Sequence, residues 1–286
     1  MRIRWHLFLI LPVLVSLVLF IAPQIAFLRA SLFQNLGYGQ LGPDLTLTNY
    51  VQFFSDEFYL NSLLLTVGLS LATVVISIGF GFPIAYGLAR SRSRWRSTWL
   101  TLLVASSLVT VVIKALGLVV LLSVNGPLNK FLLLLGVIET PIRMLNNNIG
   151  ATLGLVHYVL PLAVLVLFSV VQTIPQNLEE AAAGLGSGPW RRAYRVLFPL
   201  ALPGLVTAGL MSFNLAMGTF TSIALLGGGK VLTLPILIER KAILEVNYPF
   251  AATISTVLLF VGVMINVIVL AFAQRIQRRR PGGAMP

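Results

Sequence analysis

EEAAAGLGSGPWRRAYRVLFPLALPG occupies residues 179–204. Two adjacent glutamates, three consecutive alanines at 181–183, glycines at 184, 186 and 188, and three arginines interrupt a chain that is otherwise mostly apolar. Leu178 to Leu185 is made of good helix formers. Asn177 is available as an N-cap, and Glu179 and Glu180 in the first turn suit the positive end of a helix dipole. Gly186 and Gly188 then interrupt, and Pro189 is suited to open a following helix at its first position. Trp190, Tyr194 and Leu197 fall at i, i+4 and i+7, which predicts one apolar face. The stretch therefore reads as two short helices joined by a glycine turn, lying along a membrane surface. A loop that only sets its arginines among lipid headgroups would account for the charge. It would not need Ala181, Ala182, Ala183, Gly184 and Gly186, which permit close backbone approach of the kind a protein partner uses.

The remaining chain supplies the membrane. Of 286 residues, 57% are hydrophobic and 10% charged, and the mean hydropathy is +0.94. A soluble domain carries about 25% charged residues, so these few cannot cover a water-facing surface. The net charge of +12 would suggest nucleic acid on a soluble protein. Here the charges sit in short loops, and insertion topology explains them without any nucleic acid. The chain has no cysteine, and His6 and His157 are its only histidines. That excludes disulfides and argues against a protein-built metal site.

A spanning helix needs about 20 mainly apolar residues. Six windows qualify, at about 7–30, 60–89, 99–123, 150–172, 200–224 and 250–273. The first has a basic start like a signal peptide, but its apolar run exceeds the roughly 7–15 residues of a signal core, so an uncleaved span is expected. One set of flanks carries Arg2 and Arg4, Arg90 to Arg96, Arg191, Arg192 and Arg195, and Arg275 to Arg280. The opposite set carries Lys130, Arg143, Lys230, Arg240 and Lys241 together with six acids: Asp44, Asp56, Glu57, Glu139, Glu239 and Glu245. Positive charge places the first set in the cytoplasm. Both termini are then inside, which agrees with an even number of spans. The expected organisation is a first helix and outer loop over 1–58, a core over 59–275 containing the cytoplasmic loop 173–199, and a basic tail over 276–286.

Within that loop, Glu180-Ala181-Ala182, three residues, Gly186, nine residues, Val196, one residue, Phe198-Pro199 resembles the EAA signature of ABC-importer permeases. Val196 stands for the usual isoleucine and Phe198 for the usual leucine. TLTNYVQFF at 46–54, GFPIAYGLAR at 81–90, NGPLNKFLLLLGVIETPIRML at 125–145, GLVHYVLPLAVLVLF at 154–168 and LPGLVTAGL at 202–210 extend the resemblance to spermidine/putrescine permeases. The resemblance implies an all-α membrane protein of the type I importer (MetI-like) fold, with six transmembrane helices, in a bacterial inner membrane. It implies coupling helices that dock on an ATP-hydrolysing subunit. Glu180 would make the ionic contact, Ala181, Ala182 and Gly186 would allow close approach, Arg191 and Arg192 would flank, and Val196 and Pro199 would complete the signature. It implies as partners two ATPase chains, a homologous second permease and a periplasmic substrate-binding protein. This chain would do no chemistry and bind no cofactor, since ATP and magnesium are used by the ATPase. Polyamines are the implied cargo, with ferric iron, thiamine, an aminophosphonate or an opine as alternatives.

Other features are weighed on their residues. GGGK at 227–230 lacks the glycine and the Ser/Thr of a phosphate loop, since Ala224 and Val231 stand there, and reads as an outer turn. GFGFP at 79–83 reads as close helix packing or a kink. His157 reads as a packed or hydrogen-bonded histidine. Lys114 lies mid-span, about nine residues or roughly 13 Å from the span's end, too far for its side chain to reach water. It is either a structural contact or a pathway residue, and in a pathway it would repel a cation. Ser212, Asn214, Met217, Thr219 and Phe220 belong to the most polar stretch within a span. They serve either as interhelical glue or as a lining of the pathway. A secondary transporter or channel would call for intramembrane carboxylates or repeat symmetry, and the sequence offers neither.

Overall fold

The computed structural model describes residues 5–278. Arg2, Arg4, Arg279 and Arg280, and the tail beyond 278, lie outside the described residues. Among those described, six helical segments are long and apolar enough to cross a membrane, at 12–31, 57–90, 111–134, 148–173, 193–218 and 248–275. The chain divides into two compact units, one of residues up to 63 with 234–261, the other of 64–233 with 262 onward.

The first unit opens with α1 (Trp5–Ser31), followed by a small hairpin that the sequence did not suggest, β1 (Phe33–Asn35) with β2 (Leu41–Leu45), antiparallel with Phe33 opposite Leu45. After it come α2 (Thr48–Ser55) and the first turns of α3 (Glu57–Arg90). Asn49 on α2 is buried, and its amide donates to the carbonyls of Ser31 and Phe33, 3.0 and 2.8 Å away. One side chain thereby fixes both the end of α1 and the hairpin. Phe53 stacks on Tyr59 at 5.7 Å, and the Phe250 ring meets Tyr59 edge-on at 4.9 Å. Beside them, Lys241 donates to Glu245 at 2.6 Å. Burial alone would lower the pKa of this lysine, but the bond to Glu245 and the charge of that group outweigh it and raise the value. The described part of α1 buries none of its apolar length in this chain, so lipid or another protein must cover it.

The second unit holds the body of α3, then α4 (Trp95–Leu108), α5 (Val111–Leu122), α6 (Pro127–Leu134), α7 (Asn148–Thr173), α8 (Asn177–Gly184) and α9 (Pro189–Arg192). A π turn over Ala193–Leu197 leads into α10 (Phe198–Gly218), and α11 (Thr221–Gly227) follows. Helix α12 (Leu234–Glu239) belongs to the first unit, and the latter part of α13 (Tyr248–Arg278) returns to the second. The core lies on α7, where Val164, Leu167 and Val171 pack with Ala85 and Ala89 of α3 and with Ala201, Leu205 and Ala208 of α10. Small residues at these contacts let the helices approach closely. Gly204 of α10 serves that purpose, because a Cβ there would stand 2.4 Å from a methyl of Val170 on α7.

Two of the expected spans are broken. The window 99–123 contains a break at Val109 and Thr110, both in extended conformation, so α4 ends at Leu108 and a new helix begins at Val111. The run Val109-Thr110-Val111-Val112-Ile113 consists of β-branched residues, which weaken helix propensity there. The window 200–224 likewise stops at Gly218, where Thr219 is extended, and α11 starts afresh. The glycines after α11 form the turn expected of them, Gly228 and Gly229 both having positive φ.

Asn129 on α6 holds the segment before α7. It is fully buried, its amide donates to the carbonyls of Ser123 and Ile142, and its carbonyl accepts from the Ile142 N–H at 2.9 Å. Asn129→Leu leaves the Ile142 N–H and carbonyl without partners and takes one of two donors from the Ser123 carbonyl, which keeps the Gly126 N–H, at a cost of about 3 kcal/mol. The thermal midpoint of the purified protein is expected to fall, and an unchanged midpoint would show that these bonds are replaced by water.

Candidate functional site

The loop after α7 is built by its prolines and glycines. Helix α7 ends at Thr173 because Ile174 is extended, as the residue before Pro175 must be. Helix α8 then begins at Asn177 with Gln176 as its N-cap, the Gln176 carbonyl accepting from the N–H groups of Glu179 and Glu180. Asn177 is thus the first residue of the helix and not its cap. At the other end Gly186 takes φ +80°, and the N–H groups of Gly186 and Ser187 close on the carbonyls of Ala183 and Ala182. This is a Schellman closure, which places a left-handed residue after the helix and accounts for glycine at 186. Pro189 opens α9 at its first position, where its missing N–H is not needed.

The second short helix is continuous with the fifth span. The π turn that joins them precedes Pro199, which has no N–H to give to the preceding turn. The wider turn also breaks the apolar face expected of Tyr194 and Leu197. Leu197 is fully buried in the core, whereas Tyr194 is 74% exposed and stacked on Phe198. The side chain of Trp190 lies outside the described residues.

The two adjacent glutamates have opposite fates. Glu180 is exposed, as are Ala181 and Arg191, while Ala182 and Val196 are half-buried. Space is open around Gly184, Gly186 and Gly188, and Leu185 is 88% exposed beside them. These residues form a small, uncovered surface with an apolar knob. Glu179 faces the other way and is only 8% exposed. One of its oxygens accepts from Arg90 Nε and Nη2, at 2.8 and 2.7 Å, and the other accepts from the Tyr86 hydroxyl at 2.8 Å. Arg90 Nη2 also donates to the Ile174 carbonyl at 2.9 Å. Tyr86 and Arg90 are one turn apart at the end of α3, so the last turn of α3 holds both the end of α7 and the start of α8. Removing one partner of a buried pair costs about 3–5 kcal/mol. Arg192 is half-buried nearby. Its charge is felt at the Tyr86 hydroxyl, and its Nε is buried without a hydrogen-bond partner. Pro199, the last residue of the signature, is half-buried on α10.

Sequence reasoning named Glu180 and missed Glu179, Arg90, Tyr86 and Leu185. The i, i+4 pair Tyr86–Arg90 just before an arginine-rich loop was the available signal.

The intramembrane candidates do not converge on one face. Ser212 and Met217 lie on the buried side of α10, and Phe220 is partly exposed. The Asn214 amide exchanges hydrogen bonds with Asn266 of α13 at 3.1 and 2.8 Å, an interhelical tie on an exposed face. The Thr219 hydroxyl donates to the Leu215 carbonyl of its own helix. Lys114 is not in the middle of a continuous helix. It lies in the first turn of α5, just past the break, 8% exposed, with its ammonium 5.8 Å from the centre of the Tyr158 ring. His157, next to Tyr158 on α7, is exposed in this chain and not packed as expected.

Comparison with known proteins gives concordant results. A family profile described as "binding-protein-dependent transport system inner membrane component" matches residues 77–280. The spermidine/putrescine transport system permease protein PotB of Haemophilus influenzae is 31% identical over 233 residues, covering 82% of this chain and 81% of that protein. PotB of Escherichia coli strain K12 is 34% identical over 223 residues, covering 78% of this chain and 81% of that one. A chain of a bacterial ABC transporter involved in import of the acidic polysaccharide alginate shares the fold, with a TM-score of 0.75 at 20% identity, over 95% of this chain and 96% of that chain.

Proposed function

The chain belongs to the binding-protein-dependent transport system inner membrane components, and from that membership we propose that it forms half of a polyamine pathway driven by a separate ATPase. It is an ABC-importer permease of the bacterial inner membrane. In the proposed arrangement the arginine-rich loop faces the cytoplasm, as do both termini. The open surface of Glu180, Ala181, Leu185 and Gly186 seats in the ATPase, with Arg191 and Arg192 at its edge. Closure of two ATPase subunits on ATP draws this loop toward its counterpart on a homologous permease and opens the pathway to a periplasmic binding protein. Lys114, Ser212, Asn214, Met217, Thr219 and Phe220 are proposed to border that pathway.

The observation that carries the cargo is the identity of 31% and 34% with two spermidine/putrescine permeases over about four-fifths of the chain. The test is ATP hydrolysis by the reconstituted complex with its binding protein and a panel of ligands. Spermidine or putrescine is expected to raise the rate, and stimulation only by an unrelated ligand would refute the cargo. One observation favours a second reading, an anionic or neutral cargo. Among the described residues of the six spans the one carboxylate is Glu57, at the first residue of α3, whereas Lys114 is buried near the start of the third. A cation passing Lys114 would meet repulsion that an anion would not.

A further inference from the structure

We propose that Glu179 is a positioning residue that makes α8 and the last turn of α3 move as one piece, so that a displacement of the loop reaches the second membrane span. The proposal rests on the reading of the loop as the ATPase-coupling surface. It concerns the side of α8 that faces away from that partner.

Helix α8 is mostly exposed. Among its described residues only Glu179 is buried, and Asn177, Leu178, Glu180, Ala181 and Ala183 are exposed. The helix therefore has no apolar face seated in the protein. An apolar contact tolerates sliding, whereas a charge-assisted, two-pronged bond fixes both distance and direction. Both oxygens of Glu179 are engaged, by Arg90 and by Tyr86, 89 and 93 positions earlier in the chain. Arg90 closes the arrangement by binding the end of α7 through Ile174. Force applied to the exposed side of α8 has this carboxylate as its buried route into α3. The alanines and glycines around it make no comparable bond.

The charge balance adds a consequence. Arg90 and Arg192 bring two guanidinium groups to the patch, and Arg192 keeps a buried Nε without a partner. Neutralising Glu179 leaves the two cations unopposed. Neutralising Arg90 leaves Glu179 with Arg192 close by. Glu179→Gln is therefore expected to do more damage than Arg90→Gln.

The chain contains no cysteine, so Gly87→Cys on α3 and Asn177→Cys at the start of α8 introduce a unique pair of spin-label sites. Both positions are exposed. The experiment uses the assembled transporter in lipid, with and without ATP. In the otherwise unaltered protein the distance between the labels is expected to stay narrow and unchanged by nucleotide. Glu179→Gln should widen the distribution, and cargo moved per ATP should fall about tenfold, a size ordinary for coupling between sites, while the ATPase still copurifies. Tyr86→Phe removes one bond and no charge, and should give a smaller change of the same kind in a protein that folds readily. Glu180→Gln should do the reverse, weakening ATPase capture and leaving the distance narrow. An unaltered distribution in both Glu179→Gln and Tyr86→Phe would overturn the proposal. A transporter that couples normally but shows a distance changing with nucleotide would overturn it as well. If the unaltered complex moves no cargo on ATP, the coupling reading fails, and the distance measurement still decides whether Glu179 binds α8 to α3.

Discussion

Gly150→Val is expected to cost about 3 kcal/mol and to lower the thermal midpoint by about 10 °C. Gly150 lies in the first turn of α7, where its N–H donates to the Asn147 side chain that caps the helix. A Cβ at this position would stand 2.4 Å from the Met144 carbonyl oxygen and 3.0 Å from that of Leu226. Both obstacles are backbone, so no side-chain rotation relieves them. The Leu226 carbonyl also accepts from the Asn146 N–H at 2.8 Å, which means that yielding on one side breaks a bond on the other. Relief would require moving the start of α7 away from α11, and with it the core that α7 carries. Gly117→Val on α5 is the control, since a Cβ there meets nothing within 4 Å. Equal midpoints for the two variants would refute the packing argument.

Gly186→Trp together with Glu180→Lys is expected to lower ATP-driven uptake by more than tenfold, within the range of about 5–150-fold for coupling between sites. Two causes contribute, and a third variant separates them. Gly186 holds φ +80°, a conformation that costs other residues about 1–2 kcal/mol, least of all asparagine. It also leaves open space where a Cβ would project. Gly186→Asn keeps the conformation accessible and fills the space. Uptake lost with asparagine points to close approach by a partner. Uptake kept with asparagine and lost with alanine points to the turn alone. Full uptake by the Trp/Lys variant, with the ATPase still bound, would show that this surface couples nothing.

The six spans were legible because lipid imposes a length and a polarity on each, and both survive in composition. Their interruptions were not. A window of about 20 residues averages over Val109–Thr110 and over Thr219, where a single extended residue ends a helix without changing the mean. The hairpin at 33–45 escaped notice for a similar reason, being three residues paired with five. In the loop, the signature spacing singled out Glu180, which is exposed, and gave no sign that its neighbour Glu179 is buried. The identity of the buried one depends on the angular phase of α8, which is set by its starting residue, and the partner of Glu179 is nearly ninety residues distant in sequence. Glu180 on its own is what the linear pattern can show. The pairing behind it is a property of the folded chain. The polar run of α10 shows the same limit, since Ser212 and Asn214 look alike in sequence, and one faces the core while the other reaches α13.

The π turn at 193–197 has a consequence for the chain's tolerance of insertion and deletion. A wide turn stores one residue more than an α-helix would use over the same rise. Deleting a single residue there could restore ordinary helical winding without shortening the rod much. Because the wide turn already absorbs that residue, the segment before it would keep its bearing relative to α10. A deletion in the regular winding of α10 has no such store and would swing everything before it by about 100°. The π turn is thus the place where the count of nine residues between Gly186 and Val196 can fall by one with Arg191 and Arg192 still aimed as they are.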